Sequence, residues 1–263
     1  MPPVFAVQNL CAAYGSKAVL QGVSFSISQP GQLVGLLGAN GSGKTTLLRA
    51  VCGSIPHTGQ CLLNGLPLES LSTRQLAQQV SYVPQHSGIS IAMSALDVVL
   101  MGFNPHLRLL EQPNAAQRTA AYEALQQVGL SALAQQDYLT LSGGEQQLCI
   151  LARTLIERSA LLLLDEPDSA LDLHNRTQLL RLVAQLVQRD GRTGILCLHD
   201  PAPALAFCDI LLLLKDGRLA AELHPKTDSL AAMQDALCQI YGPVELLSVQ
   251  DCAGRSRLVL LPE

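Results

Sequence analysis

The sequence predicts an α/β fold around a largely parallel sheet. Short apolar runs at Leu33–Leu37, 161–164, 195–198 and 210–214 read as strands, and the first is apolar on both faces, as in a strand buried within a parallel sheet. Helical periodicity lies between several of these runs. Strands alternating with helices give a parallel sheet covered by helices.

The elements follow in order. Val23, Phe25 and Ile27 alternate with Ser24, Ser26 and Ser28, a half-buried strand of period two. Cys61, Leu62 and Leu63 run into Asn64-Gly65, a tight-turn signal. Residues 80–83 form a short strand stopped by Pro84. Ala121, Ala124, Leu125 and Val128 mark one helical face, with Gly129 as the stop. A glycine pair at 143 and 144 introduces a helix over about 145–157. Another helix spans about 173–190, with Leu179, Leu180, Val183, Leu186 and Val187 on one stripe and Gly191 at its end. The strand at 210–214 closes at the Asp216-Gly217 turn. Residues 87–157 thus read as a helical insertion in a domain spanning 1–223. Residues 224–263 read as a short extension with a helix and one hairpin.

Composition narrows the function. With 263 residues, 48% of them hydrophobic, the chain can bury a sizeable core. Net charge is −4, no basic stretch stands out, and aromatic residues make up only 3% with no Trp. That argues against a nucleic-acid surface or a base-stacking platform. None of the eight cysteines forms a C-x-x-C pair, so spacing gives no support for a zinc site. Most lie in apolar runs, which fits a reducing compartment. The N-terminus lacks the pattern of a signal peptide, and no run reaches the roughly 18 apolar residues of a membrane span. Any membrane role is expected to come through a partner.

Three motifs carry chemistry. Gly38-Ala39-Asn40-Gly41-Ser42-Gly43-Lys44-Thr45 matches G-x-x-x-x-G-K-[ST] between a strand and the helix that opens Thr45-Thr46. Its N–H groups and helix dipole suit phosphate, Lys44 suits β- and γ-phosphates, and Thr45 suits Mg²⁺. The apolar strand 161–164 ends in Asp165-Glu166-Pro167. Alone this reads as an ordinary strand exit. Behind a phosphate loop it reads as a metal and water site, with Asp165 holding Mg²⁺ directly or through water and Glu166 polarising the attacking water. Leu141-Ser142-Gly143-Gly144-Glu145 reads first as a capping box ahead of an apolar helix.

Together these motifs resemble the ATP-binding cassette (ABC) family, in order: Walker A at 38–45, the L-S-G-G signature at 141–144 and Walker B at 161–166. Ser169-Ala170-Leu171-Asp172 is similar to its D-loop, His199 to its switch histidine and Gln85 to its Q-loop glutamine. Tyr14 lies where the family places an aromatic against adenine. The resemblance covers about 4–222. It implies a P-loop NTPase core with an antiparallel β subdomain and an inserted helical subdomain, hydrolysing ATP with Mg²⁺. It also implies a homodimer in which Ser142, Gly143, Gly144 and Asp172 of one copy complete the other's ATP site. Gln85 is then a further metal contact. The capping reading of Ser142 is compatible with this role.

Three positions depart from the family pattern: Glu145 for the commoner Gln, Leu148 for a basic residue, and Asp168 for Thr or Asn. Residues 98–102 with Asn104-Pro105-His106-Leu107, together with His199-Asp200-Pro201 and Phe207-Cys208-Asp209, resemble importers of iron-siderophores, haem and cobalamin. That branch implies an integral-membrane permease, a separate substrate-binding protein and residence at the cytoplasmic face of the membrane. Other importers or exporters share the core motifs. DNA-repair or chromosome-organising ATPases need long coiled coils or zinc modules, and translation-factor ATPases usually carry two cassettes. The apolar, small-residue stretch 87–93 is expected to be exposed beside a hinge at Gln85 and to border a permease-docking groove over 87–105.

Overall fold

The structure, a computed structural model, describes residues 2–262 apart from 86, 109, 170 and 253. In order, the elements are β1 (Phe5–Tyr14), β2 (Lys17–Ile27), β3 (Leu33–Leu37), α1 (Lys44–Val51), β4 (Thr58–Leu63), β5 (Leu66–Pro67), α2 (Thr73–Gln79), β6 (Val80–Val83), α3 (Ala95–Leu100) and α4 (Ala115–Gln127). There follow α5 (Gly143–Glu157), β7 (Leu161–Asp165), α6 (Leu173–Asp190), β8 (Thr193–Cys197), α7 (Pro201–Phe207), β9 (Ile210–Lys215), β10 (Arg218–Leu223), α8 (Leu230–Tyr241), β11 (Val244–Gln250) and β12 (Ser256–Pro262).

The central sheet has the order β10-β9-β3-β8-β7-β6. Its ladders are parallel except β10 against β9. All residues of β3, β7 and β8 are buried. The period of two survives as a division between two cores. Val34, Leu36, Leu161, Leu163, Ile195 and Cys197 pack on one face with Leu47 and Leu48 of α1 and with Phe5 and Leu10 of β1. Leu33, Leu37, Leu162, Leu164 and Leu196 pack on the other with α3 to α6. Each strand is apolar throughout because each face has a cover. Each fully buried Leu contributes roughly 1.5–3 kcal/mol.

A second, antiparallel sheet runs β2-β1-β4-β5. Val23, Phe25 and Ile27 point into its core while Ser24 and Ser26 face solvent, as the alternation predicts. β1, which the sequence reading passes over, is central here and pairs with both β2 and β4. Its alternation breaks where the register shifts between Val7 and Leu10, at left-handed Asn9.

In the 87–157 segment, α3, α4 and α5 pack on one another, and Ala121, Ala124 and Leu125 are buried. α4 opens at Asn114 with a capping box, and α6 ends at left-handed Gly191. The α6 stripe of Leu179, Leu180, Val183, Leu186 and Val187 is buried as expected. α2 secures the 104–107 loop: Arg74 donates to the Pro105 and Leu107 carbonyls at 2.9 and 2.7 Å, and Gln78 donates to Pro105 at 2.8 Å. After residue 224 come α8 and the β11–β12 hairpin. Met233, Leu237, Val244 and Leu246 join the same core as the helical face of the sheet. Four cysteines are buried, three are half-buried and Cys252 is exposed. No helix among the described residues is long and apolar enough to cross a membrane.

Candidate active site

The site gathers at the carboxyl ends of β3, β6, β7 and β8. β3 leads into 38–43 and then α1, whose first residue, Lys44, is buried. Its Nζ donates to the carbonyls of Gly38 at 2.7 Å and Ala39 at 3.3 Å, which holds the ammonium inside the loop. Two glycines permit this curl. Gly38 has φ 153°, and a Cβ there would lie 2.3 Å from the Leu214 carbonyl oxygen. Gly43 has φ 107°, and a Cβ there would lie 2.8 Å from Leu20. Ala39, Asn40 and Gly41 are exposed at the rim, and Thr46 is buried behind them. Ser42 Oγ is buried without a hydrogen-bond partner among the described residues. A caged ammonium, an open helix N-terminus and an unpartnered hydroxyl fit a polyphosphate.

β7 delivers the acids. Asp165 is buried and accepts from Thr45 Oγ1 at 3.0 Å and from the Tyr82 hydroxyl at 3.1 Å. Burial pushes its carboxyl up from the ordinary value, and the Thr45 and Tyr82 hydrogen bonds oppose that. Glu166 follows with φ 50°, a strained conformation for a side-chain-bearing residue. Its Oε2 accepts from Gln85 Nε2 at 2.6 Å and lies 2.6 Å from His199 Nε2. Residues just past β6, β7 and β8 thus meet at one carboxylate oxygen. Of the three positions expected at the metal, Thr45 and Asp165 are joined directly, whereas the Gln85 amide is on Glu166.

Four neighbours escape the sequence reading. Tyr82 lies within β6, and the fold brings its hydroxyl to Asp165. Arg49 hydrogen-bonds Tyr82 and Tyr14, which raises its pKa; Tyr14 itself is 47% exposed at the end of β1. Tyr241, at the end of α8, donates to the His199 carbonyl at 3.5 Å, so the C-terminal segment touches the site. Arg176 Nε lies 2.6 Å from the buried Asp168 carboxylate, and its second nitrogen lies 3.5 Å from Asp200, the residue after His199. Asp168 therefore departs from the family pattern together with a cationic partner.

Ser142 caps α5, with its hydroxyl 2.7 Å from Glu145 Oε2. That bond lowers the Glu145 pKa. The flexible glycines Gly143 and Gly144 form the first turn of α5. Among the described residues, no hydrogen bond or ion pair joins 142–145 to 38–45. Asp172 caps α6 by accepting from Asn175 N at 2.8 Å, and the neighbouring Ala170 lies outside the described residues. Leu148 packs half-buried against the core, where an apolar residue suits its surroundings. In 87–93 the expectation of exposure divides: Ile91 is 69% exposed, but Ile89 and Met93 pack against the core.

Comparison with known proteins gives one answer at each level. The profile of the family described as ABC transporter matches residues 20–169. The hemin import ATP-binding protein of Bordetella pertussis is 41% identical over 244 residues, covering 89% of this chain and 90% of that protein. The hemin import ATP-binding protein of Escherichia coli O157:H7 is 35% identical over 265 residues, covering 98% and 99%. Among solved structures, one described as an inward-facing metal-chelate type ABC transporter superposes with a TM-score of 0.83 at 28% identity, covering 100% of this chain and 98% of that one. A dimeric ATP-binding cassette in a post-hydrolysis state with ADP and Pi gives 0.76 at 26% identity, covering 84% and 98%.

Proposed function

The chain belongs to the ABC transporter family, and from that premise we propose that its ATPase energises uptake of a metal chelate across a membrane, with haem as the first candidate and an iron-siderophore or cobalamin as the others. The observation that carries the hydrolytic half is the convergence of Gln85, Glu166 and His199 beside the loop that cages Lys44. The 41% identity to a hemin import ATP-binding protein supports the cargo.

The residues take these parts. Lys44 and the N–H groups of 38–46 bind the β- and γ-phosphates of ATP, and the Ser42 hydroxyl finds a partner there. Thr45 and Asp165 would hold Mg²⁺, which neutralises phosphate charge; Gln85 is close enough to Glu166 to link that site to the water. The Glu166 carboxylate orients and polarises the attacking water, and hydrogen bonds to Gln85 and His199 fix its direction. His199 reports the γ-phosphate. Tyr14 lies against adenine. The capped N-terminus of α5, with Ser142, Gly143 and Gly144, and the Asp172 region serve the ATP of a second copy. Exposed Ile91 and the loop fixed by Arg74 border the groove, 87–105, for a cytoplasmic helix of an integral-membrane permease. A substrate-binding protein delivers cargo to that permease, and the ATPase lies on the cytoplasmic face. Residues 1–223 form the ATPase domain and 224–263 its extension.

The test is purification from membranes in detergent with whatever co-purifies, followed by reconstitution in liposomes. ATP-dependent haem accumulation is expected, and Lys44→Ala should abolish both hydrolysis and uptake. Movement of a siderophore or corrinoid but not haem would reassign the cargo. Hydrolysis with no membrane protein attached would reject the transport role.

A further inference from the structure

Outside the nucleotide site, the folding of β4 brings together three side chains of different ligand chemistry. His57 precedes the strand, Cys61 lies within it, and Glu69 lies in the short turn after β5. Nitrogen, sulfur and carboxylate oxygen atoms of the three lie within 4.8 Å of one another. His57 Nδ1 is 3.4 Å from the Ile55 carbonyl oxygen and Nε2 is 3.2 Å from Glu69 Oε1. With the hydrogen on Nδ1, the Nε2 lone pair faces the carboxylate across a gap that a cation can fill. A histidine whose Nδ1 is tied to a backbone carbonyl and whose Nε2 faces outward is oriented as metal-bound imidazoles are.

The third donor favours the metal. A sulfur, an imidazole nitrogen and a carboxylate oxygen that converge from three segments make a mixed donor set of the kind a borderline-soft cation takes. The Cys61 N–H also donates to Glu69 Oε1 at 2.7 Å, which fixes the carboxylate against the strand. Around a tetrahedral zinc ion the bond lengths place ligand atoms roughly 3.4–3.6 Å apart. The observed nitrogen–oxygen separation of 3.2 Å is already close, and a sulfur no farther than 4.8 Å away has about 1 Å to move.

We propose that His57, Cys61 and Glu69 bind one borderline-soft divalent cation of the zinc class. The fourth position opens to the cavity that His57 and Glu69 line together with Cys52 and Ser54. Binding releases the thiol proton to solvent; the hydrogen shared between His57 and Glu69 leaves that contact, to Nδ1 or to solvent, and two metal–ligand bonds replace it. The ion clips the segment after α1, the strand β4 and the turn after β5 together.

Cobalt substitution tests this. The full-length protein, reduced and stripped with a chelator, is titrated with Co²⁺ and followed by absorption. The expected result is a sulfur-to-cobalt charge-transfer band with tetrahedral d–d bands, saturating at one equivalent and reversed by Zn²⁺. Cys61→Ser should remove the charge-transfer band. His57→Ala and Glu69→Gln should each weaken Zn²⁺ binding at least about tenfold, with ATPase activity unchanged. Absence of a thiolate band, or a band that persists in Cys61→Ser, overturns the proposal. If Cys61→Ser does not fold, unchanged Zn²⁺ affinity in His57→Ala and Glu69→Gln overturns it equally.

Discussion

Replacing Arg176 with Gln isolates the partnership at the departing Asp168. The Asp168 side chain is 7% exposed and lies 2.6 Å from Arg176 Nε, while Arg176 is 23% exposed. Breaking a fully buried ion pair costs about 3–5 kcal/mol and a surface pair about 0–1, so this half-covered pair should cost about 2 kcal/mol. That is roughly a thirtyfold loss in the folded-to-unfolded ratio. The contact of Arg176 with Asp200, whose side chain is 46% exposed, adds little. The cost arises from a carboxylate left without its cation, so the double variant Asp168→Asn/Arg176→Gln should recover most of it. Burial raises the Asp168 pKa and Arg176 opposes the rise. A group whose pKa is raised on folding gives its full contribution below the unfolded value, about 3.9, and loses it as pH climbs through the folded value. Without Arg176 the folded value rises further, so the loss should be larger at pH 8 than at pH 5. Urea unfolding of both variants at the two pH values measures this. A single-variant loss below about 0.5 kcal/mol at pH 8, or equal losses in single and double variants, would refute the reasoning.

Three further outcomes are expected. Gly38→Ala places a Cβ against the Leu214 carbonyl oxygen, a backbone atom that cannot rotate away; it should cost more than about 2 kcal/mol and remove binding of a fluorescent ATP analogue. Glu166→Gln should bind Mg-ATP while kcat falls roughly 100-fold or more, and light scattering should show an ATP-dependent dimer; wild-type turnover in that variant would reject the role of Glu166. Ile91→Glu, at a 69% exposed position, should change stability by less than about 0.5 kcal/mol and leave basal ATPase intact while abolishing uptake by the reconstituted complex; normal uptake would reject the docking groove.

The sequence by itself determined the parallel core and the phosphate loop. Both are local statements. A run such as Leu33–Leu37 is apolar throughout only if both its faces are covered, and the spacing of Gly38, Gly43 and Lys44 is set by one strand-turn-helix unit. The stripe on α6 and its stop at Gly191 were legible for the same reason. β1 was not, because its bulge at Asn9 breaks the period of two that marks a strand. What only the tertiary structure decided lies between distant segments. Tyr82 lies in the short strand 80–83, and parallel pairing with β7 sets its hydroxyl against Asp165. Arg176 lies on α6, and its side chain spans Asp168 and Asp200. The apolar stretch 87–93 read as one exposed patch, but packing buried Ile89 and Met93 in part and left Ile91 outside. His57, Cys61 and Glu69 share no metal-binding spacing, and the turn between β4 and β5 brings them together. Periodicity records which side of an element is covered. Which side chains then meet depends on strand order and register, and those are fixed by packing over the whole chain.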